Sequence, residues 1–367
     1  MKNSFFKILI LALLIAIFGI LSIYSSTFQK EGTAWQEIYK RQILWLIIGL
    51  VCFYLFSRFN YRKLWDANYF IYGLAIFFLL LVFGLGVIRL GAQRWLKFAW
   101  FNFQPSEFAK LAVIIFLARY FSRKSTDDIS LLSGKFGIFK GIILPFIFVA
   151  IPMFLIIEQP DLGSGLILLL VFVGLLYLTN VRIKYIFILL AALISPLPLL
   201  WNFLHGYQKQ RLLVFLNPNI DPLGAGYTII QSRIAIGSGG LMGRGWLRGS
   251  QSQLYFLPES HTDFIFATFS EQWGFLGSSL LILVYYLIIR QGFIIGQRTN
   301  DTFGRLLAYG ISILLAIQVF INIAMNMGLA PVVGLPLPMM SYGGSSVLAT
   351  FIALGILVNI DRTRNVF

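Results

Sequence analysis

Arg211-Leu212-Leu213-Val214-Phe215-Leu216-Asn217-Pro218 opens a polar stretch of this chain, and Phe256-Leu257-Pro258-Glu259-Ser260-His261-Thr262-Asp263-Phe264-Ile265-Phe266 leads out of it toward Gly277. Apolar runs flank it on both sides. A segment this long that carries Arg, Gln, Glu, His and Asp between runs long enough to cross a bilayer makes an extended loop of a membrane protein. Aqueous chemistry has its place there.

Composition agrees. The 367 residues are 58% hydrophobic and only 12% charged, about half the charged share of a typical soluble domain, and the mean hydropathy is +0.82. The 36 phenylalanines suit lipid-facing helix surfaces and their interfacial ends. A formal charge of +15 would fit a nucleic-acid binder if it were clustered. Here the basic residues are scattered through short loops between apolar runs, where they orient a membrane protein, so no nucleic-acid partner is expected. The single cysteine, Cys52, lies inside an apolar run and reads as packing.

Outward from the polar stretch, apolar runs of about 16 to 25 residues, the length that crosses the hydrocarbon core, can be read near Phe5 to Tyr24, Gln42 to Phe56, Ala67 to Leu85, Glu107 to Phe121, Ile142 to Ile157, Ser164 to Leu178, Tyr185 to Leu204, Phe264 to Ile289, Leu306 to Met325 and Ser345 to Val358. The sequence therefore predicts an all-α polytopic membrane protein with about ten transmembrane helices. It forms a single integral membrane domain over residues 1–367, with a long extracytoplasmic loop, 205–263, between spans seven and eight. The first run follows Lys2 and Lys7 as a signal peptide would, but it is long and no small-residue cleavage site follows it, so it reads as a span. Counted over alternate loops, the larger share of the 29 Lys and Arg residues falls on the side of the termini. Cytoplasmic loops retain basic residues, so both termini are expected inside and the long loop outside.

That loop is too long for a mere connection. Its centre, Tyr227 to Ile236, has apolar residues at helical spacing and predicts an amphipathic helix at the membrane surface. The glycine-rich run that follows, Gly237-Ser238-Gly239-Gly240 and Gly243-Arg244-Gly245, permits tight turns and close backbone approach to a ligand. A flexible linker is the other reading.

Ionisable groups in or beside spans are costly and mark functional candidates. In Gln104-Pro105-Ser106-Glu107-Phe108-Ala109-Lys110, Pro105 and Ser106 set a helix entry, Glu107 suits its positive end, and Lys110 follows on the same face. The segment is either a capped helix with a local ion pair or a charged cavity wall, and Arg94 and Lys97 precede it. Glu158-Gln159-Pro160-Asp161-Leu162-Gly163-Ser164 is a tight outer turn in which Asp161 caps the next span or faces a cavity. Pro258 to Asp263 enters the eighth span, with Glu271 two turns beyond. There Asp263 is either a helix cap or a general base placed for a lipid-borne substrate, and His261 reads most simply as a solvated interfacial residue. Pro331 to Ser346, with three prolines and three glycines, cannot form a continuous helix. Irregular backbone at such depth is tolerated only where protein or water covers it, and Asn322 and Asn326 on the preceding span would face the same interior. No phosphate-binding loop, dinucleotide fold or hydrolase triad is legible, and two lone histidines, His205 and His261, make no zinc centre.

These motifs together, Phe256 to Phe266 (FLPESHTDFIF), Leu335 to Ser346 (LPLPMMSYGGSS), Gln104 to Lys110 (QPSEFAK) and Gln159 to Gly163 (QPDLG), resemble the SEDS family of shape, elongation, division and sporulation proteins. The resemblance spans the chain. Asn217 to Tyr227 and Gly249 to Leu254 look like the elongation branch, RodA, more than the division branch, FtsW. One departure is Gln272-Trp273, where many relatives carry a second acidic residue and a small or aliphatic one.

The resemblance implies a peptidoglycan glycosyltransferase that polymerises lipid II, the undecaprenyl-pyrophosphate-linked disaccharide pentapeptide, outside the bacterial cytoplasmic membrane during cell elongation. It also implies a class B penicillin-binding protein as transpeptidase partner. The 4-hydroxyl of one disaccharide would attack the anomeric carbon of another with inversion, displacing undecaprenyl pyrophosphate. Family resemblance puts the base at Asp263. Arg94, Lys110, Arg211 and Arg233 are the candidate cations for the leaving pyrophosphate, with Mg²⁺ or Mn²⁺ on its oxygens as a possible cofactor and no organic cofactor. Glu107, Asp161, Glu259, His261, Ser341 and Tyr342 complete the expected substrate-binding or cavity residues. Two other classes stand beside this one. A flippase for the lipid-linked precursor would need a path to both faces, and a non-catalytic scaffold would not require Asp263.

Overall fold

The computed structural model describes residues 2–29, 35, 37–89, 92–98, 101–127, 137–179, 181, 183–195 and 206–364. Helices occupy all ten predicted runs: α1 (Lys2–Thr27), α2 (Ile38–Arg58), α3 (Lys63–Leu85), α4 (Pro105–Asp127), α5 (Leu144–Glu158), α6 (Leu162–Tyr177), α7 (Ile183–Ile194), α11 (Ile265–Arg298), α12 (Thr302–Asn326) and α13 (Gly344–Thr363). Seven, counting α5 with the π turn before it, are long and apolar enough to cross a bilayer. The other three differ for plain reasons. Helix α4 carries Glu107, Lys110, Arg119 and Arg123, α6 has 16 residues, and the described part of α7 has 12. Residues 196–204 at the end of the seventh run, and His205, lie outside the described residues.

Helix α5 begins from a π turn, Phe139–Ile143, and holds Pro152 in its interior. The polar loop folds into α8 (Gly206–Leu216), α9 (Ala225–Ser238) and a single turn, α10 (Ser250–Gln253). Strands are not expected from the sequence, yet residues between α3 and α4 form a small antiparallel sheet in the order β1 (Gly86–Arg89), β2 (Ala92–Phe98), β3 (Phe101–Phe103). Gly86 pairs with Leu96, and Leu96 with Phe103, so a meander caps one end of the bundle.

Helices α4, α6, α12 and α13 bury most of the core, including Ile114, Phe121, Phe172, Leu307 and Phe351. Helix α3 turns Phe70, Phe77 and Phe83 outward, as a lipid-facing span does. The two ends of the bundle differ in chemistry. At one end Gln291 of α11 donates to Ser4 of α1 (3.2 Å), and the Tyr61 hydroxyl donates to Asp301 (2.9 Å) while its backbone N–H donates to Asn359 Oδ1 (3.0 Å). The first turn of α1 and the last turns of α13 therefore lie at this end. The sheet, the α5–α6 turn, the loop before α11 and the irregular residues 327–343 gather at the other end.

Helix α11 is the irregular member. Its 34 residues would reach about 50 Å at 1.5 Å per residue, well beyond the ~30 Å of hydrocarbon. It is broken at Gly274, whose φ of 64° and ψ of −163° lie outside helical space. A short inner piece, Ile265 to Trp273, thus stands apart from the longer span below.

Candidate active site

Asp263 ends the loop that enters α11. The capping position is Phe264, without a side-chain hydrogen bond, so of the two readings Asp263 is not a cap and its carboxylate is left for other work. Its backbone is fixed from below. The carbonyl of Asp263 accepts from Asn322 Nδ2 (3.1 Å) and Asn326 Nδ2 (2.9 Å). Asn326 Oδ1 accepts the N–H of Ala267 (3.1 Å), and Asn322 Nδ2 also reaches the carbonyl of Leu335 (2.6 Å). Two amides four residues apart on α12 thereby tie the loop, the first turn of α11 and the irregular segment together.

The irregular segment closes the other wall. Ser341 Oγ donates to the carbonyl of Thr262 (2.6 Å) and accepts the N–H of Leu337 (2.8 Å), while the N–H of Tyr342 donates to the carbonyl of His261 (3.0 Å). Ser341, Tyr342 and His261 thus fix the walls by backbone bonds, and the rings of His261 and Tyr342 lie 6.0 Å apart. His261 is buried, which corrects the expectation of a solvated residue: the segment covers it. Gln42 of α2, at the start of an apolar run that gives no sign of a site, donates to the carbonyl of Ser341 (3.1 Å) and accepts from the N–H of Gly343 (3.3 Å).

Charge converges on Asp263 from four elements. Its carboxyl is pushed up to about 6, first by burial and then by Glu259, against the lowering influence of Arg94 and Arg211, with Asp161 adding a smaller upward push. The side chain still keeps part of its surface accessible, so protons reach it. Glu259 is itself held, its Oε2 accepting from the Thr262 hydroxyl (3.0 Å). Arg94 comes from β2: Nε donates to the carbonyl of Gln159 (3.2 Å), Nη2 to that of Pro160, and Nη1 lies 3.9 Å from Asp161 Oδ1. A Cβ placed on Gly334, whose φ is +70°, would stand 3.5 Å from Asp263 Oδ2 and 3.8 Å from Arg94 Nη1. Carboxylate and guanidinium therefore border the same small space, one that a side chain at 334 would enter.

Asp161 takes the capping role foreseen for it. Its Oδ1 caps α6 by accepting the N–H of Ser164 (3.1 Å), and its carboxylate faces Arg94 and Gln104. One turn into α4, Lys110 Nζ and Glu107 Oε1 form a 2.7 Å ion pair with both side chains buried. Arg233 is not brought to the base: it is exposed on α9, against Gly328.

The glycine run makes the tight turns foreseen for it, with φ of 54°, 82° and 96° at Gly240, Gly243 and Gly245. Its backbone lies against the break in α11, with the N–H groups of Arg244 and Gly245 donating to the carbonyls of Glu271 (2.9 Å) and Gln272 (3.0 Å), and those of Phe275 and Leu276 donating to Gly240 (2.8 Å) and Leu241 (3.1 Å). The close approach is to the protein's own helix. Helix α9 forms as predicted but buries Ile229, Ser232 and Ala235, and Ser232 donates to the carbonyl of Asn326 (2.7 Å). Its apolar face is spent on the bundle.

A family profile described as a cell cycle protein family, FtsW/RodA/SpoVE, matches residues 5–366. The peptidoglycan glycosyltransferase MrdB of Escherichia coli (strain K12) is 41% identical over 357 residues, 97% of this chain and 93% of that protein. The probable peptidoglycan glycosyltransferase FtsW of Trichlorobacter lovleyi is 36% identical over 361 residues, 96% of this chain and 92% of that one. Among solved structures, one reported for the structural coordination of polymerization and crosslinking by a peptidoglycan synthase complex superposes with a TM-score of 0.81 at 30% identity, covering 98% of each chain. The Thermus thermophilus rod shape determining protein RodA superposes with a TM-score of 0.70 at 25% identity, covering 98% of this chain and 96% of that one.

Proposed function

We infer the reaction at this site from the premise that the chain belongs to the FtsW/RodA/SpoVE family. It is a multi-pass membrane protein and a peptidoglycan glycosyltransferase of the RodA type. The relatives are named as transferases, which does not favour the flippase alternative.

The substrate we propose is lipid II, presented from the outer leaflet, with Asp263 as the general base. The acceptor 4-hydroxyl gives its proton to the Asp263 carboxylate as its oxygen bonds the donor's anomeric carbon. The bond from that carbon to the pyrophosphate oxygen breaks, its electron pair leaves with undecaprenyl pyrophosphate, and the configuration inverts. A base whose pKa lies near the working pH is suited to such a step. The raised carboxyl of Asp263 on a doubly clamped backbone is the observation that carries the assignment.

Of the four candidate cations, Arg94 and Arg211 act on Asp263, and we assign the developing negative charge to them. Arg94 uses Nε and Nη2 on two carbonyls and turns Nη1 toward the carboxylates, and guanidinium has donors to spare. Lys110 is occupied by Glu107 and is assigned to the cavity wall. Among the described residues no three His, Cys, Asp or Glu side chains converge as a metal site. A divalent ion, Mg²⁺ or Mn²⁺, would come with the substrate's pyrophosphate and be held by its oxygens.

A class B penicillin-binding protein is the proposed partner, consistent with the neighbour that was solved within a peptidoglycan synthase complex. The test is polymerisation of labelled lipid II by the purified chain with its cognate transpeptidase. Glycan ladders from wild type and none from Asp263→Ala support the reading. Ladders from both move the base elsewhere, and none from either sinks the polymerase reading.

A further inference from the structure

Asp263 stands near one end of a ring of chain, 249–271, that is closed by a buried carboxylate the transfer itself does not use. Glu271 is fully buried, and among the described residues no cation lies within ion-pair distance of it. Its Oε1 accepts the N–H of Gln251 (2.8 Å) and the hydroxyl of Ser250 (3.3 Å), and its Oε2 accepts the N–H and hydroxyl of Ser252 (both 3.3 Å). The nearest cation works at one remove, Arg244 Nη1 donating to Ser250 Oγ (2.9 Å). A carboxylate kept from water by neutral donors is costly unless its lone pairs are met. Here they are met by one turn of the very loop that delivers the base.

The ring is tight. The carbonyl of Gln251 accepts the N–H of Leu257 (3.2 Å), and the carbonyl of Glu259 accepts those of Thr262 (3.1 Å) and Phe264 (3.3 Å). Leu257, Phe264 and Ala267 pack with Ala235 in a small separate core. Within the ring Tyr255 and Glu259 have φ of 62° and 50°, conformations that a non-glycine residue keeps only where its surroundings impose them. On the far side, the break at Gly274 uncouples Ile265 to Trp273 from the membrane span. Across the break run Ser278 Oγ to Ser270 Oγ (2.9 Å) and the backbone bonds of the glycine run. Clasping contacts, not helix continuity, thus hold the piece that follows the base.

We propose that Glu271 is a positioning residue for the transfer: by clasping the 250–252 turn it closes the ring and holds Glu259 to Asp263 in register with α12, so that the Asp263 carboxylate faces the attacking hydroxyl. It acts through the loop and touches no substrate. The proposal rests on the assignment of Asp263 as base.

Glu271→Gln in the full-length chain, assayed with its partner on lipid II across a range of pH, tests it. The amide keeps the shape but turns a donor toward the donors of Ser252. Turnover per folded molecule should fall on the order of 10²-fold, the effect of a displacement of about 1 Å, with KM little changed. The acid limb should move as well, because the charges facing Asp263, namely Glu259, Arg94, Arg211 and Asp161, are re-spaced. Ser250→Ala combined with Ser252→Ala keeps the carboxylate and removes two of its four donors, and should shift both readouts the same way by less. Wild-type turnover and acid limb in both variants, or a loss confined to yield and melting temperature, overturns the clasp. If Glu271→Gln does not fold, the serine pair decides. An active Asp263→Asn would instead sink the base itself, whereas an inactive Asp263→Asn beside an unaltered Glu271→Gln sinks the clasp alone.

Discussion

At Asp263, burial and Glu259 raise the carboxyl to about 6 while Arg94 and Arg211 oppose them, and the balance is open to measurement. A base must be ionised to accept a proton, so kcat/KM should fall about tenfold per pH unit below an apparent pKa near 6 and flatten above it. Removing the lowering influence with Arg94→Ala should carry that limb to higher pH, and removing the raising one with Glu259→Gln should carry it lower. A pH profile of lipid II polymerisation checks both signs in one experiment. Asp263→Asn, similar in size but unable to accept the proton, should stay folded and lose ~10²- to 10⁴-fold in rate. The buried Glu107–Lys110 pair obeys a different rule. Lys110→Met strands a carboxylate out of water and should cost about 3–5 kcal/mol of stability. Adding Glu107→Gln should restore most of that stability without restoring activity if the pair also lines the substrate cavity. Thermal unfolding in detergent, set beside turnover, separates the two contributions.

The break in α11 explains which elements sequence could reveal. Apolar runs announce spans because burial in lipid dictates side-chain chemistry along the whole length, and the ten helices stand where those runs lie. Gly274 gave no such signal. It sits between Trp273 and Phe275 in a run that reads as one helix, and its left-handed φ answers to backbone brought from Gly240 to Gly245. A contact between two backbones leaves no side-chain pattern beyond glycine itself, which is why ligand approach and linker were the readings available. The small sheet was hidden for a related reason: three short strands inside a mostly apolar sequence alternate too briefly to stand out. Gly274→Ala should therefore act on the loop before the span. A Cβ there would meet the backbone N of Gly243 and force an unfavoured φ, a strain of order 1–3 kcal/mol. Hydrogen exchange should quicken at Arg244, Gly245, Phe275 and Leu276 while α12 and α13 keep their protection. Uniform loss of protection would instead mean that the bundle, and not the brace, depends on Gly274.

Across the whole molecule the two ends divide their labour. The polar motifs that sequence brought forward, around Arg94, Asp161, Asp263 and Ser341, come from separate stretches and meet at one end, because each interrupts an apolar run at the same level of the bundle. What sequence could not supply was their mutual order: Arg94 reaches the site only through the sheet, and Arg233, in the same polar loop as Arg211, stays outside. The other end collects the chain termini with Arg58, Arg62, Arg298, Arg305 and Arg362. Basic residues beside spans are retained on the cytoplasmic side, so the end that holds Asp263 should face outward, where a growing glycan strand has room. Reporter fusions decide this. Alkaline phosphatase, which matures only outside the cytoplasm, should be inactive when fused after Arg364 and active when inserted between Asn219 and Ile220, in the exposed turn before α9. The termini and the site lie at opposite ends, so the two fusions must give opposite answers whichever way the protein sits. The reverse pair would place Asp263 in the cytoplasm, where a polymerase of outer-leaflet substrate has nothing to act upon, and would return the transport reading to the front.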